Sequence, residues 1–444
     1  MGLFTKGLTL PKRLSRPSLT PVEVPLPEKV ILPLKPYTGT PAQPLVSVGE
    51  KVKRGQLIAE GTGSVPVHAT IAGTVAAIAP HLDPRGTEVA SVTIESDGTD
   101  DAIVPSPREK ADTADAILAA IHDAGLMVRA ITPVAVATDL VPLDQPKTHL
   151  YRDGRAVVKR TDTLIVNALD PEPSLGVNRY LAGIHNDVLV PGIAALKTVT
   201  GAHRTIFTTD TASPCPQLAQ IVADDEEEMT SLIALNNRHF PIALPPVLIK
   251  TVLSKELPLP YGHPRDIGVA LYDIDTVVAV GEAVAHHTPQ TTSLLTIGGD
   301  GIAQHGIAQV RIGTPIGEII AALGGLAEGT KKIILGGPLT GMAHYELTTP
   351  VTKDITALFA LTDEQIQTTE GYAECINCGM CVKVCPVNLV PGMLSMYCAK
   401  GLIEQADREG LLCCIECGCC DYVCPSRRPL VHLFRHAKHQ LMEA

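Results

Sequence analysis

The sequence predicts a multidomain α/β protein whose N-terminal part is rich in short strands and whose C-terminal part is small and rich in cysteine. The chain has 444 residues, more than one hydrophobic core usually supports, and at about 150 residues per domain it predicts about three domains. Its 37 Gly and 36 Pro indicate many turns and short strands. All but one of its 12 Cys lie beyond residue 370, which sets the C-terminal part apart.

The N-terminal segment, residues 1–105, alternates short strands with turns between residues 41 and 78. We place the turns at three glycines, Gly49, Gly55 and Gly73. The pattern is similar to the barrel-sandwich hybrid of lipoyl and biotinyl carrier domains. Such a domain carries its acyl group on a hairpin lysine, but His68 and its neighbours stand at that position. We therefore predict a scaffold role for this domain.

The next two segments predict an α/β domain over residues 106–288 and a β-grasp domain over residues 289–350. In the first, helical stretches such as 114–124 alternate with apolar strands, at 163–166 and 267–271 among others. In the second, the order is strand, turn, strand, helix, strand. The glycines at 298–301 match neither a Walker loop nor G-x-G-x-x-G, so we expect no phosphate cradle there.

The C-terminal segment, residues 351–444, contains two copies of a cysteine motif with the spacing C-x2-C-x2-C-x3-C-P. The first copy is Cys375, Cys378, Cys381 and Cys385, and the second is Cys414, Cys417, Cys420 and Cys424. In two-cluster ferredoxins with this spacing, three close thiolates bind one [4Fe–4S] cluster and the fourth binds the neighbouring cluster. We therefore predict crossed ligation by two sets, Cys375, Cys378, Cys381 and Cys424, and Cys414, Cys417, Cys420 and Cys385.

The pattern favours iron–sulfur clusters over zinc. Structural zinc sites usually combine two separated C-x2-C pairs, which would leave the fourth cysteines and the prolines after them unexplained. The helical pattern between the motifs, at 393–397 and 402–406, predicts a helix-rich ferredoxin domain. We interpret the remaining cysteines as small buried residues and not as ligands: Cys215, Cys398, Cys413 and Cys419.

Charge and hydropathy exclude other classes of partner. The net charge is −11 and no long basic run occurs, so the electrostatic footprint of nucleic-acid binding is missing. The acidic run at 224–228 is interpreted as a solvated helix face and not as a docking patch. No stretch approaches the roughly 18 to 20 apolar residues of a membrane span, and residues 1–6 lack a signal-type apolar core. We expect a cytoplasmic protein with no transmembrane segment of its own.

Charged residues near the second motif allow two interpretations. A basic C-terminal helix with Arg427, Arg428, Arg435 and Lys438 is either a docking face for an acidic ferredoxin or a solvated tail. Lys383, Glu416 and Asp421 either tune the cluster potentials or are ordinary surface charges.

The order of these parts resembles the C subunit of Rnf-type ion-translocating electron transport complexes. The resemblance covers nearly the full length and is strongest from residue 335 onward, in four segments: 336–341 (GGPLTG), 350–353 (PVTK), 374–379 (ECINCG) and 415–426 (IECGCCDYVCPS). It implies a complex I flavin-subunit-like α/β domain and an SLBB-like β-grasp domain. It also implies a peripheral electron-transfer protein on the cytoplasmic face of the cell membrane. Its partners would be integral-membrane and redox subunits, with ferredoxin or a cytochrome as electron donor or acceptor.

The sequence departs from that family where the α/β domain binds FMN and NADH. After Gly125 the family's G-x-G-G-A-x-F-P loop is replaced by residues 126–133, which contain no glycine to admit the flavin ring and phosphate. The family's N-G-A-E-C-E-P is represented by residues 167–173. Its Y-P-x-G-x-E is represented by residues 240–245, without the glycine and the acid. We therefore predict that FMN and NADH are not bound.

Two alternatives stay open at this point. The first is an FMN-containing NADH oxidoreductase, or a cobalamin-reductase-like one, with a rearranged flavin loop. The second is a cluster-bearing protein that only anchors other redox proteins.

Overall fold

The computed structural model describes residues 6–11, 17–35, 40–104, 111–128, 134–140, 161–184, 187–213, 215–260, 262–366 and 373–443. It contains the predicted α/β, barrel-sandwich and ferredoxin-like parts. Within those ranges no helix has the length and apolar character needed to cross a membrane.

The N-terminal part forms two small antiparallel sheets that pack face to face. Its strands are β1 (Leu8–Thr9), β2 (Pro21–Val22), β3 (Lys29–Pro33), β4 (Gln43–Pro44), β5 (Lys51–Val52), β6 (Leu57–Glu60), β7 (Val67–His68), β8 (Gly73–Leu82) and β9 (Glu88–Ser96). The sheets have the orders β3-β9-β8-β5 and β4-β6-β7. Apolar residues alternate inward along the strands, so Val30, Ile58 and Val92 are buried in one core.

The predicted turns are present at Gly49 and Gly55, which have φ values of +88° and +84°. Gly73 does not lie in a turn but begins β8. A Cβ atom at this position would overlap the carbonyl oxygen of Glu95 on the paired strand. Glycine is therefore required here by the close approach of two strands.

The α/β domain contains α1 (Ala114–Asp123), β10 (Met127–Val128), β11 (Val134–Ala135), α2 (Val136–Asp139), β12 (Thr163–Asn167), α3 (Val177–Gly183), α4 (Leu189–Thr200), β13 (Arg204–Asp210), α5 (Pro216–Ala223), β14 (Thr230–Leu235), β15 (His239–Phe240), α6 (Pro245–Leu253), β16 (Val269–Asp273) and α7 (Ile274–His286). Its parallel sheet has the order β14-β13-β12-β16. The chain order reverses at β12, and ligands of open parallel sheets bind beside such a point. The prediction that residues 224–228 form a helix face is wrong, since α5 ends at Ala223.

The third part is a mixed sheet with one helix, built from β17 (Thr292–Gly298), β18 (Gly306–Arg311), α8 (Ile316–Ala322), β19 (Thr330–Leu335), β20 (Met342–His344) and β21 (Ala357–Thr362). The sheet order is β2-β18-β17-β21-β19-β20. The strand, turn, strand, helix, strand order matches the β-grasp prediction. The sheet extends beyond the predicted range, because β2 and β21 lie outside residues 289–350.

The C-terminal part is helical, with α9 (Met380–Val384), α10 (Pro391–Ala399), α11 (Ile403–Arg408), α12 (Cys419–Val423) and α13 (Leu430–Glu443). The two predicted helical stretches between the cysteine motifs are α10 and α11. Leu394, Leu411 and Phe434 are buried in a core shared by these helices and α13. This core holds the two motifs side by side.

Candidate iron–sulfur centres

The two cysteine motifs have the same backbone geometry. Asn377 and Glu416 occupy the same place in the two motifs, and both adopt left-handed φ values, 55° and 54°. Each motif then continues into a short helix, α9 or α12. The two motifs therefore turn in the same way, as expected for two copies of one cluster-binding loop.

Four predicted ligands of one cluster line a common cavity. Cys385 of the first motif lies there with the predicted ligands Cys414, Cys417 and Cys420 of the second motif. Cys419, which is not a predicted ligand, lines the same cavity. The remaining walls are largely apolar and include Pro386, Leu389 and Phe434. We call the four predicted ligands, Cys385, Cys414, Cys417 and Cys420, the inner site. The structure thus brings together the crossed set that the spacing predicts.

The chemistry of the inner site suits a cationic group bound by thiolates. Burial raises the pKa of the Cys414 thiol to about 12 and also raises the pKa of Cys385. A buried thiolate is therefore costly unless a bound cation compensates its charge. The backbone N–H of Leu389 donates to Cys385 Sγ at 3.3 Å, and the N–H of Glu416 donates to Cys414 Sγ at 3.4 Å. Such bonds stabilise cluster ligands.

The thiols are not gathered around a single-ion position. Across the described ranges, no three His, Cys, Asp or Glu side chains are close enough to hold one metal ion. A Zn–S bond of about 2.3 Å would bring the sulfur ligands to within about 4 Å of each other. Within the described residues the structure shows no such gathering of sulfur atoms, which disfavours a single zinc ion.

The other predicted set, Cys375, Cys378, Cys381 and Cys424, lies nearer the surface, and we call it the outer site. Cys378 is exposed and the other three are half-buried. A Cβ built on Gly392 at the start of α10 would lie 3.5 Å from Cys375 Sγ and 3.7 Å from Cys381 Sγ, so these two thiols face the same helix end. Cys424 and Cys381 pack against the same core. Ligation of one cluster by all four stays a prediction.

Burial is as expected for three of the remaining cysteines: Cys215, Cys398 and Cys419 are buried, whereas Cys413 is half-buried. Because Cys419 lines the inner-site cavity beside the predicted ligands, its exclusion as a ligand stays a prediction. Cys215 Sγ lies 2.8 Å from Thr209 Oγ1 in the α/β domain, far along the chain from both motifs.

The inner site packs against the body of the protein. Ile415 and Cys417 share a hydrophobic core with Phe240 of the α/β domain and with Leu8 and Leu10 of the N-terminal arm. The arm reaches this position because β1 pairs with β15. Sequence patterns gave no signal for this cover, because a strand of two residues is too short to show periodicity.

The polar groups of residues 167–173 are bonded within the chain. Asp170 forms an ion pair of 2.6 Å with Arg179. Glu172 accepts hydrogen bonds from the backbone N–H groups of Leu339 and Thr340, at 3.0 and 2.7 Å. Burial raises the pKa of both carboxyl groups. Asp170 is therefore bonded to α3 and Glu172 to the loop after β19. Both contacts follow β12, the strand at which the order of the parallel sheet reverses.

Two further segments replace the family's flavin-binding motifs, residues 240–245 and the loop after Gly125. In residues 240–245, Ile242 and Ala243 are buried, and β1 covers the preceding strand. The loop that follows Gly125 is described only to Val128 and again from Val134, so residues 129–133 of the predicted departure lie outside the described ranges.

The solvated-tail interpretation of the basic C-terminal helix is wrong for Arg435 and Lys438, whereas its use as a docking face stays a prediction. These side chains are bonded inside the protein, to Glu416 and to backbone carbonyl groups. Arg428 is also buried, and its Nε lies 3.4 Å from Ser395 Oγ. Asp421 is half-buried and accepts from the N–H of Val431 at 3.1 Å. Lys383 lies exposed on α9.

Comparisons with known proteins fit this arrangement. The RnfC barrel sandwich hybrid domain matches residues 3–99, and a 4Fe-4S binding domain matches residues 372–390. The C subunit of the ion-translocating oxidoreductase complex of Rhodobacter capsulatus is 33% identical over 95% of this chain and 79% of its own length. The chain belongs to the family of C subunits of Rnf-type ion-translocating complexes. The resemblance predicted from the motifs is thereby confirmed.

Other members of this C-subunit family differ in length. The C subunit of the Na(+)-translocating ferredoxin:NAD(+) oxidoreductase complex of Acetobacterium woodii is 30% identical over 99% of this chain and 97% of its own length. The Pseudomonas aeruginosa relative is 32% identical, but this chain spans only 56% of it. In fold, the chain is similar to a chain of an NAD+-reducing [NiFe]-hydrogenase in the H2-reduced state, with a TM-score of 0.50, 18% identity and coverage of 74% and 62% of the two chains.

Proposed function

We propose that this member of the C-subunit family transfers single electrons through two [4Fe–4S] clusters within a membrane-bound, ion-translocating complex. The observation that supports this most directly is the shared cavity of Cys385 with Cys414, Cys417 and Cys420. When bound, the clusters supply one-electron oxidation and reduction. The chain needs no proton donor or nucleophile for this role.

The protein holds the thiolate ligands of both sites, but it buries those of the inner site more deeply than those of the outer site. The inner site is enclosed by the N-terminal arm and the α/β domain. The outer site has one exposed ligand, Cys378, and faces solvent. We propose that redox partners exchange electrons at the outer site and that integral-membrane subunits anchor the protein at the cytoplasmic face of the membrane. The names of two relatives include ferredoxin, which favours ferredoxin over a cytochrome as the external carrier.

We further propose that the chain binds neither FMN nor NADH. Glu172 and Asp170 are already bonded to the chain, and Ala168 and Leu169 are fully buried beside them. The printed names of the same two relatives include NAD(+), which supports the alternative of a flavin-containing NADH oxidoreductase with a rearranged loop.

The decisive experiment combines electron paramagnetic resonance of the reduced, anaerobically purified protein with iron and flavin counts. We expect two cluster signals, about eight iron atoms and no flavin. Titration with NADH should leave both clusters oxidised. Stoichiometric FMN with rapid reduction by NADH would establish the alternative, and zinc in place of iron would end the whole proposal.

Crossed ligation is tested with Cys385→Ser. Although Cys385 belongs to the first motif, we expect this variant to lose the inner cluster and about half of the iron while the outer signal remains. Cys398→Ser is the matched control, because this buried cysteine lies outside both sites and should leave both signals intact. Loss of the outer signal in Cys385→Ser would show that each motif binds its own cluster.

A further inference from the structure

Two cations of α13 meet one carboxylate of the second cysteine motif beside the inner site. Lys438 Nζ donates to Glu416 Oε1 at 2.8 Å and to the carbonyl oxygen of Cys414 at 2.6 Å. Arg435 Nε donates to Glu416 Oε2 at 2.9 Å. The side chains of Lys438 and Glu416 are only 15% and 16% exposed, so solvent screens their charges weakly.

The position of these charges is fixed from both sides. Arg435 also donates to the carbonyl oxygens of Thr340 at 2.7 Å and Gly341 at 3.3 Å. The same loop is held on its other side, because its N–H groups at Leu339 and Thr340 donate to the buried carboxylate of Glu172. The arrangement therefore connects α13, the second motif and the α/β domain.

The local charge balance favours an electron on the inner site. Glu416 compensates one of the two cations of α13, which leaves a net positive charge. Two further groups lie near the inner-site cysteines, namely Lys6 beside Cys385 and the carboxylate of Asp421 beside Cys420, and they have opposite signs. Among these five named groups the positive charges outnumber the negative ones by one. A reduced cluster carries one more negative charge than an oxidised one, so the surplus stabilises the reduced state.

We infer that Lys438 and Arg435 are positioning residues that raise the reduction potential of the inner cluster, and that Glu416 partly offsets them. This inference rests on the proposed function, because it requires an inner cluster that changes its oxidation state. It explains why two long basic side chains are bonded to the second motif instead of extending into solvent. It also gives the contact between α13 and the second motif a role in electron transfer in addition to packing.

The test is a potentiometric titration of the full-length, iron-loaded protein followed by electron paramagnetic resonance. The inner signal is assigned as the one absent from Cys385→Ser. Lys438→Met removes a positive charge and should shift the inner midpoint potential to more negative values. Glu416→Gln removes a negative charge and should shift it to more positive values. Lys438→Arg keeps the charge and should leave the potential close to that of the unchanged protein.

The opposite signs of the two predicted shifts in midpoint potential distinguish an electrostatic effect from a structural one. A purely structural contact would be weakened by both substitutions, and both potentials would move in the same direction or stay unchanged; either result overturns the inference. Lys400→Met serves as the control, because Lys400 is an exposed lysine of the same domain and should cause no shift. If the unchanged protein shows no cluster signal, the proposed function itself fails, which is a separate outcome.

Discussion

His68 occupies the hairpin position at which a carrier domain has its acylated lysine. It is only 8% exposed, and its Nδ1 has no hydrogen-bond partner within the described ranges. Burial, together with the nearby charge of Lys353, lowers the pKa of His68 to about 3. Lys353 Nζ donates to the carbonyl oxygen of Gly125 at 2.6 Å, so the hairpin tip lies at the junction with the α/β domain. A buried tip supports the scaffold role predicted from the missing lysine.

His68 should make the stability of the protein depend on pH. Its pKa is depressed in the folded state, so only the unfolded chain takes up a proton as the pH falls from about 6.5 toward 3. The free energy of unfolding should therefore decrease by about 2 kcal/mol between about pH 7 and pH 5. Urea denaturation under anaerobic conditions measures this change. His68→Gln cannot titrate and should lose about 2 kcal/mol less over the same interval. Equal losses in the two proteins would contradict the burial of a neutral imidazole.

At the level of elements, α4 and α7 pack so closely that their contact requires glycine. A Cβ on Gly281 of α7 would overlap the carbonyl oxygen of Val188, and a Cβ on Gly192 of α4 would overlap the carbonyl oxygen of Val277. Backbone atoms cannot move aside as a flexible side chain can. The two helices therefore support the parallel sheet at a short interaxial distance.

Gly281→Ala should lower the free energy of unfolding by about 1 to 3 kcal/mol, because the helices must separate to admit the methyl group. Gly183→Ala is the matched control at the end of α3, where a Cβ would meet no atom within 4 Å. That substitution should be neutral or stabilise the protein by up to about 1 kcal/mol through reduced backbone entropy of the unfolded chain. Chemical denaturation of both variants measures the difference, and equal stabilities would refute the close contact.

At the level of the whole molecule, the N-terminal arm, the α/β domain and the ferredoxin-like domain meet at the inner site. Leu8 and Leu10 are 8% and 2% exposed and pack in the same core as Ile415 and Cys417. They come from the opposite end of the chain to the cysteine motifs. The apolar cover over Ile415 and Cys417 of the second motif is therefore assembled from distant parts of the sequence.

Replacement of both Leu8 and Leu10 by Ala should shorten the lifetime of the inner cluster in air. The loss of buried apolar volume, worth about 2 to 5 kcal/mol per leucine, opens the cover to solvent. The decay of the inner electron paramagnetic resonance signal after exposure to air measures the lifetime. Leu45→Ala, at a leucine that is 54% exposed, is the control and should not change the decay. Equal decay rates in both variants would show that the arm does not protect the site.

Local patterns in the sequence are sufficient to predict the order of the parts, the helices between the motifs and the position of Cys385 beside the cysteines of the second motif. These features follow from spacing and periodicity, which depend on residues close together in the chain. Three other features are visible only in the folded chain. They are the ion pairs of Arg435 and Lys438 with Glu416, the hydrogen bonds of Glu172 to the loop at 339–340, and the packing of Leu8 and Leu10 over the second motif. Each of these contacts joins residues far apart in the chain, and charge or hydropathy patterns do not encode which distant partner a side chain meets.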